Sequence, residues 1–310
     1  MRQSKGLGLL IVTSVLAFLP LCIDGDFIWD DPKLVLLNHW TGSLLSNLGN
    51  MFTQDLWAST PLGAGDFFYY RPLMLVRLSI DQLFGFGPAG HHLHSLLWHL
   101  LCVSLLYRLA REAGASGFAL VAGVSLFALH PLQTEVLAHI AARNDAMATA
   151  GILGALLLLL PKTPSNGTLW GAAGLMTLAV FSKETAYLAP LLLWGLDRAR
   201  FQQAENLKRY AAVLLPLGLA LGLRLSLGGG DLPRPDNWAD SLWILFEGTA
   251  FYLGALVFPW EITPTVSSSE MSLIWPLSLL GAALIALLVR TSGPWGRWGL
   301  LLALIGFLPA

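Results

Sequence analysis

Long apolar runs alternate with short polar connectors along almost the whole chain. The first run, residues 7–23, is long enough to cross the roughly 30 Å hydrocarbon layer as a helix, and Arg2 and Lys5 precede it. Nine further apolar helices are predicted, several of them short for a full crossing, at approximately residues 92–107, 118–129, 146–160, 169–181, 186–196, 210–227, 242–258, 273–289 and 300–308. The pattern therefore predicts an all-α, multi-spanning integral membrane protein.

A cleaved signal peptide is the alternative interpretation of residues 7–23. The residues before Cys22 are bulky, whereas cleavage sites require small side chains, and many apolar segments follow. The sequence therefore favours a retained membrane anchor.

The composition agrees with a membrane protein. Hydrophobic residues make up 55% of the chain and charged residues 12%, with a mean hydropathy of +0.64, whereas soluble domains carry about 25% charged residues. The net charge is −1 and no long charged run occurs, which argues against nucleic acid as a partner. Cys22 and Cys102 lie in apolar segments, so they indicate neither a disulfide framework nor a metal-binding motif.

Lysine and arginine residues concentrate in the connectors around residues 108–111, 162 and 198–209, as in cytoplasmic loops. Alternation of the helices then places residues 24–71, 130–135, 183–184 and 228–240 on the opposite, non-cytoplasmic face. Beyond residue 228 the topology stays open, because a full crossing at 242–258 would put Arg290 and Arg297 outside. We expect a membrane core over residues 1–227, with an outer loop at 24–70, and C-terminal membrane or interfacial segments over 228–310, truncated from a longer protein.

The long outer loop is predicted to carry helices that lie at the membrane interface. Residues 34–51 can be read as amphipathic, and the aromatic cluster at residues 67–70 is typical of the water–lipid boundary. Arg77 and Asp81 lie four residues apart on the next helical run. We expect that helix to lie along the interface as well, because charges at the bilayer centre are costly.

Asp30 and Asp31 are the first candidates for chemistry. One carboxylate could act as general base on an acceptor hydroxyl, or the pair could bind a divalent cation. The alternative is a turn at the loop entry, because Asp-Asp followed by Pro32 is favourable turn and cap chemistry. The spacing does not decide between them, and adjacent acids permit a cation without requiring one.

A second candidate begins at His130 and ends at Asp145. On a continuous helix, Glu135, His139 and Arg143 would form one polar stripe at i, i+4 and i+8. A stripe with both charges near membrane depth is typical of a cavity lining. The alternative is a salt bridge between Glu135 and Arg143 through His139.

Histidines and an isolated lysine complete the candidates. His92, Ser95 and His99 share a helix face, but no local carboxylate or thiolate supports a zinc site, so packed or interfacial histidines are favoured over metal ligands, with contact to a carrier phosphate as the functional option. Lys183 stands beside Glu184 between two apolar segments. It could be the point-charge partner of a phosphate, or a lysine paired with its neighbour.

Several of these motifs, in this order, resemble the membrane part of the transmembrane and tetratricopeptide-repeat (TMTC) O-mannosyltransferases and their bacterial relatives. The motifs are Phe27–Asp31, Tyr70–Leu73, Ile80–Gly85, His92 with His99, Ala128–Glu135, Ala142–Asp145, Ser182–Glu184, and the stretches Pro233–Asn237 and Tyr252–Thr263. They cover nearly the whole chain. The chain departs from the pattern at Ser95, where asparagine is usual, and at Asn144, where alanine is usual. No tetratricopeptide repeat occurs in these 310 residues.

The resemblance implies a GT-C superfamily glycosyltransferase that takes a sugar from a polyprenyl phosphate at the non-cytoplasmic face. It makes Asp30 or Asp31 the catalytic base, with Asp30 preferred as the first acid of the pair. The further roles it implies are positioning of the acceptor or the base by Glu135, Asp145 and His130, and binding of the carrier phosphate by Arg71, Arg143, Lys183 and His92.

The expected reaction is the transfer, with inversion, of mannose or another hexose from the lipid-linked donor to a hydroxyl of a protein or glycan acceptor. Two alternatives stay open: a transporter or flippase for a lipid-linked substrate, although no internal repeat is visible, and a non-catalytic membrane scaffold. The expected location is a bacterial inner membrane with the active face toward the periplasm. The expected partners are membrane lipid, the donor and the acceptor.

Overall fold

The computed structural model describes residues 2–63, 69–201, 206–228, 238–257, 259 and 271–306, and this part of the chain contains helices and no strand. The helices are α1 (Arg2–Asp24), α2 (Leu44–Thr53), α3 (Pro72–Leu83), α4 (Pro88–Glu112), α5 (Gly117–Ala128), α6 (Gln133–Ala138), α7 (Arg143–Leu158), α8 (Asn166–Ser182), α9 (Ala189–Phe201), α10 (Leu207–Ser226), α11 (Trp238–Val257), α12 (Met271–Thr291) and α13 (Pro294–Gly306). Shorter helical turns occupy Pro32–Leu36, Ile140–Ala142 and Glu184–Leu188. Each of the ten predicted apolar segments corresponds to a helix, and the all-α fold is confirmed.

Three helices of the described residues are long and apolar enough to cross a membrane, judged by length and composition: Lys5–Asp24, Pro88–Glu112 and Leu207–Ser226. Large apolar side chains remain exposed on them, such as Leu16 on α1 and Leu215 on α10, at 69% and 70%. Leucines exposed to this extent on long apolar helices suit contact with lipid tails. The protein is an integral membrane protein.

The chain divides into two compact units, Met1–Tyr187 with Asn206–Pro233, and Leu188–Glu205 with Arg234–Ala310. In the second unit α11 packs against α12, and α13 packs against α9. There the indole Nε1 of Trp298 donates a hydrogen bond to the carbonyl oxygen of Leu192 at 2.8 Å. The boundary predicted at residues 227 and 228 stays a prediction.

The first unit is a bundle in which α4 packs against α1, α5 and α7, and α8 packs against α7 and α10. Phe18 and Cys22 of α1 form a buried cluster with Leu96 of α4 and Leu137 of α6. Between α7 and α8 the backbones approach closely, because a Cβ placed on Gly151 would lie 2.6 Å from the carbonyl oxygen of Leu175. Small residues at such contacts allow helices in membranes to pack tightly.

The outer loop between α1 and α3 packs with α3 and with Ile140 around a shared apolar core. This core contains Leu34, Val35, Trp40, Met51, Leu56, Met74, Leu75, Leu78 and Ile140. The interpretation of residues 34–51 as one amphipathic stretch is wrong, since a helical turn ends at Leu36 and α2 begins at Leu44. Asn38 lies in the break, and its side-chain oxygen accepts hydrogen bonds from the Trp40 amide and the Ser59 hydroxyl. Local bonds of this kind compete with helix formation.

Candidate active site

Asp30 and Asp31 lie in a sharp turn after α1. The turn begins with Trp29, whose φ of 49° lies in the left-handed region, and it enters the helical turn Pro32–Leu36, whose N-cap residue is Asp31. A tryptophan in this conformation costs about 1–3 kcal/mol and is usually held by surrounding contacts. The two neighbouring carboxylates consequently point into different surroundings.

Asp31 is fully buried, whereas the Asp30 side chain is 46% exposed. The Asp31 carboxylate accepts hydrogen bonds from the backbone amides of Ile140 at 3.0 Å and Ala141 at 2.9 Å, and a longer one from Ile28. Asp30 lies 4.0 Å from the Lys33 ammonium and makes no other ion pair with the described residues. Asp31 therefore ties the outer loop to the segment after α6, and Asp30 keeps a carboxylate open to solvent.

His139 connects this turn to Glu135. Its Nε2 lies 3.5 Å from Asp31 Oδ1, and its ring meets the Trp29 ring edge-on at 5.3 Å. Glu135 is one helical turn earlier. Burial and the Asp145 carboxylate raise the pKa of Glu135, while the charges of Lys183 and His139 act against that shift. Glu135 therefore holds its proton to a higher pH than a free glutamate.

Two ion pairs, which we call the rim pairs, lie at the end of α8, and the charges of one of them, Lys183 and Asp145, act on Glu135. Lys183 Nζ lies 2.6 Å from Asp145 Oδ1. The Arg71 guanidinium holds Glu184 through Nε, at 3.0 and 3.1 Å from its two oxygens, and through Nη2 at 2.8 Å. The alternative pairing of Lys183 with its neighbour Glu184 is not formed, since each residue bonds a different partner. Glu184 is partly buried, which disfavours its charge, but Arg71 lowers its pKa below the ordinary value.

Arg143 lies in a deeper group, the inner network, with Asp81, His91, His94 and Ser95. Its Nη1 lies 2.5 Å from Asp81 Oδ2, its Nε donates to the Ser95 hydroxyl, and its Nη2 donates to the His91 carbonyl. Asp81 also lies 3.0 Å from His91 Nδ1 and 2.5 Å from His94 Nδ1. These contacts join α3, α4 and α7. The Arg143 side chain is fully buried, so a phosphate would have to replace Asp81 to reach it.

The predicted stripe of Glu135, His139 and Arg143 on one helix is wrong. Helix α6 ends at Ala138, the backbone at His139 is extended, and α7 begins at Arg143. The break frees the amides of Ile140 and Ala141, and Asp31 binds them. The alternative of a bridge between Glu135 and Arg143 is not formed either, because Arg143 pairs with Asp81.

The histidines carry structural contacts. The two ring nitrogens of His92 lie 2.8 Å from the Leu137 carbonyl oxygen and 3.2 Å from the Asp26 carbonyl oxygen, so the ring fastens α4 to both segments next to the aspartate turn. His130 Nδ1 accepts a hydrogen bond from the Leu132 amide just before α6. The substrate roles of His92 and His130 stay predictions, as does that of Arg143.

The described residues contain no group of three or more His, Cys, Asp or Glu side chains arranged to hold a metal ion. Both oxygens of Asp31 already face backbone N–H donors, which leaves the pair poorly suited to a shared cation. We therefore assign no step to a metal.

Two residues of this region were not among the site residues inferred from the sequence: His139, at the Asp31 carboxylate, and Arg77, whose Nη2 donates to the Ile140 carbonyl at 3.2 Å. The sequence pointed to both residues, because His139 lies at helical spacing from Glu135 and Arg77 at helical spacing from Asp81. It did not identify the groups that they contact. Phe67, Phe68, the stretch 233–237 and, within 252–263, residues 258 and 260–263 lie outside the described residues.

Comparison with known proteins gives consistent relatives. The chain is 29% identical to protein O-mannosyl-transferase Tmtc2 of Drosophila melanogaster over 72% of its length, and 30% identical to Tmtc1 of the same organism over 78%. It is 25% identical to the O-mannosyl-transferase F38B6.6 of Caenorhabditis elegans over 75%. No family model and no solved structure matches.

The alignments cover 26%, 32% and 34% of those three relatives, so the chain spans about a third of their length or less. The resemblance inferred from the ordered motifs is confirmed. Across most of its length, this membrane protein is a homologue of the TMTC O-mannosyl-transferases.

Proposed function

We propose that this chain is the membrane-embedded catalytic part of a glycosyltransferase. It moves mannose or another hexose from a polyprenyl phosphate to a hydroxyl group of a protein or glycan, at the non-cytoplasmic face, with inversion. The observation that carries the proposal is the pair Asp30 and Asp31: one carboxylate is open to solvent while its neighbour anchors the loop. The names of the relatives support the reaction class.

In this mechanism Asp30 is the general base. It accepts the proton of the acceptor hydroxyl as that oxygen attacks the anomeric carbon from the face opposite the phosphate. The bond between the anomeric carbon and the phosphate oxygen breaks, and the polyprenyl phosphate leaves with the electron pair. Asp31 does not react, because its oxygens are held by the amides of Ile140 and Ala141. It positions the turn that presents Asp30.

In this mechanism the rim pairs lie beside the phosphate on which negative charge develops. Arg71 and Lys183 supply positive charge near the end of α8, and their side chains are both 17% exposed. Such groups stabilise a leaving phosphate when they are already in place before the reaction. Glu135, which holds a proton more readily than usual, would hydrogen-bond an acceptor or sugar hydroxyl in this mechanism.

The active face would be turned toward the periplasm of a bacterial inner membrane. The lysines and arginines at the opposite connectors favour that orientation. A polyprenyl donor suits the arrangement, because its phosphate stays at the interface while its tail remains in lipid.

The test is transfer by the lipid-reconstituted protein from radiolabelled polyprenyl-phosphate sugars, mannose among them, to protein and glycan acceptors. We expect Asp30→Asn to lower the rate by about 10²–10⁴-fold, the usual contribution of a positioned base. Asp26→Asn is the matched control, because Asp26 is an exposed acid in the same loop.

Equal rates for Asp30→Asn and Asp26→Asn would contradict the role of Asp30. Movement of the labelled lipid across the bilayer with no transfer to any acceptor would favour a flippase instead.

A further inference from the structure

The cations that the sequence assigns to the carrier phosphate are all paired with carboxylates. Arg71 holds Glu184, Lys183 holds Asp145 and Arg143 holds Asp81, with shortest distances of 2.5–2.8 Å. A leaving phosphate gains most from a cation whose charge is not already balanced. If the end of the bundle that carries the rim pairs binds a phosphate, it therefore needs another positive group.

Arg224 lies at that end. The N-terminal end of α10 is fastened to the end of α7 and to the connector that leads into α8, since the Asn206 side chain donates to the Lys162 carbonyl at 2.9 Å and Arg209 donates to the Leu159 carbonyl at 2.5 Å. Helices α8 and α10 then pack along each other. Lys183 follows the N-cap of α8 by eighteen residues, and Arg224 follows the N-cap of α10 by the same number. A helix rises about 1.5 Å per residue, so Arg224 and Lys183 lie at about the same height.

The surroundings of Arg224 agree with this placement. Burial raises the pKa of Tyr187, the Arg224 charge acts to lower it, and the Glu184 charge acts to raise it, so both charges act on the same phenol. The Arg224 side chain is half-buried, and its Nε is buried with no hydrogen-bond partner among the described residues. Arg224 takes part in neither the rim pairs nor the inner network.

Helix α10 also offers an apolar stripe beside this arginine. Leu214, Leu221 and Leu225 are 45–54% exposed, and their helical spacing places them on one face of the helix next to Arg224. A lipid whose headgroup reaches Arg224 could lay its hydrocarbon tail along them. A guanidinium fits a phosphate through two parallel N–H bonds, which a lysine ammonium cannot copy.

We propose that Arg224 binds the phosphate of the polyprenyl donor and stabilises it as a leaving group. This inference rests on the proposed function and names the cation that contacts the donor. The rim pairs then remain intact next to Arg224. A phosphate can bind Arg224 without breaking either of them. The simpler alternative is an arginine that only complements the C-terminal dipole of α10.

Binding of tritiated C55 polyprenyl phosphate to the full chain in lipid nanodiscs separates these alternatives, with C55 polyprenol as the uncharged comparison. We expect Arg224→Gln to weaken phosphate binding about tenfold, or about 1.4 kcal/mol, and to leave polyprenol binding unchanged. Arg224→Lys should bind the phosphate about two- to fivefold more weakly, because it keeps the charge and loses the paired N–H geometry. Lys208→Gln is the matched control, an exposed cation at the other end of the same helix.

If Arg224→Gln does not fold, the ratio of phosphate to polyprenol affinity in Arg224→Lys decides, and a ratio equal to that of the wild type overturns the inference. In another outcome the wild type binds polyprenyl phosphate more tightly than polyprenol, and Arg224→Gln shows the same preference. That result overturns the role of Arg224 but is consistent with a polyprenyl-phosphate donor. Equal wild-type binding of phosphate and polyprenol overturns both. Displacement by equimolar phosphatidylglycerol also overturns both, since the site would then hold an ordinary lipid headgroup.

Discussion

The inner network and the rim pairs both contain cation–carboxylate ion pairs, but these pairs are buried to different depths. Arg143 and Asp81 are 0% and 1% exposed, whereas the four side chains of the rim pairs are 17–35% exposed. A fully buried ion pair cannot open without leaving an uncompensated charge. A pair that reaches solvent can exchange one partner for a ligand oxygen. The first group therefore fixes the helices, and the second can take part in chemistry.

The largest effect should come from breaking the inner network with Asp81→Asn. Arg143 would keep its charge in the interior with no carboxylate, at a cost of about 3–5 kcal/mol in the free energy of unfolding. Thermal and denaturant unfolding in detergent measures the loss. Asp24→Asn, at the exposed end of α1, is the control, and equal stability of the two variants would show that the network is not structural. Asp81→Leu combined with Arg143→Met should regain much of the loss, because no buried charge remains.

Substitution of Asp31 should lower stability, as substitution in the inner network does, although Asp31 is adjacent to Asp30. Asp31→Asn removes an ionic acceptor from two backbone amides, so unfolding should become easier by about 1.5–3 kcal/mol, the usual strength of hydrogen bonds to charged groups. Asp30→Asn should leave stability within about 0.5 kcal/mol of the wild type, as expected for an exposed site. The same unfolding measurement on both variants tests the difference. Equal losses of stability in the two variants would contradict a structural role for Asp31 that Asp30 does not share.

The rim pair of Arg71 and Glu184 should make stability depend on pH. Arg71 lowers the pKa of Glu184 below its ordinary value of 4.5, so folding favours the charged form. Its contribution, about 1 kcal/mol for a partly exposed pair, is complete above pH 4.5 and disappears as the pH falls through the lower, folded-state pKa. Unfolding of the wild type and Glu184→Gln between pH 7 and 3 should show curves that converge in acid. A constant gap between the curves would contradict the assignment.

The smallest effect should come from exchanging the charges of the other rim pair. A double-mutant cycle with Lys183→Gln and Asp145→Asn should give a coupling energy of about 0.5–1 kcal/mol. The swapped variant, Lys183→Asp with Asp145→Lys, should recover this stability but not transfer activity, because the positive charge has moved relative to Glu135. Recovery of full activity would show that only the pairing matters.

The positions of the helices were predictable from the chain. The apolar runs agree with the observed helices to within a few residues in most cases, for example residues 118–129 against Gly117–Ala128 and residues 210–227 against Leu207–Ser226. This agreement arises because a run of apolar residues in a membrane protein has to satisfy its backbone hydrogen bonds within itself.

The break after α6 was not predictable from local pattern. Glu135, His139 and Arg143 have helical spacing, yet the helix ends at Ala138 because the amides of Ile140 and Ala141 bond Asp31, about 110 positions earlier in the chain. Hydrogen bonds between segments so far apart leave no periodic signal in either segment. The ordered motifs identified the related proteins, but the separate surroundings of Asp30 and Asp31 emerge only from the fold.

The sequence by itself determined that this protein is helical and lies in a membrane, because hydrophobic length and backbone hydrogen bonding are properties of each segment alone. The tertiary structure decided how the charges are shared. Arg143 pairs with Asp81, 62 positions away, and Arg71 pairs with Glu184, 113 positions away. The physical reason is that a charged side chain near a membrane pairs with the opposite charge that helix packing brings close to it. Which charge that is depends on how the whole bundle packs.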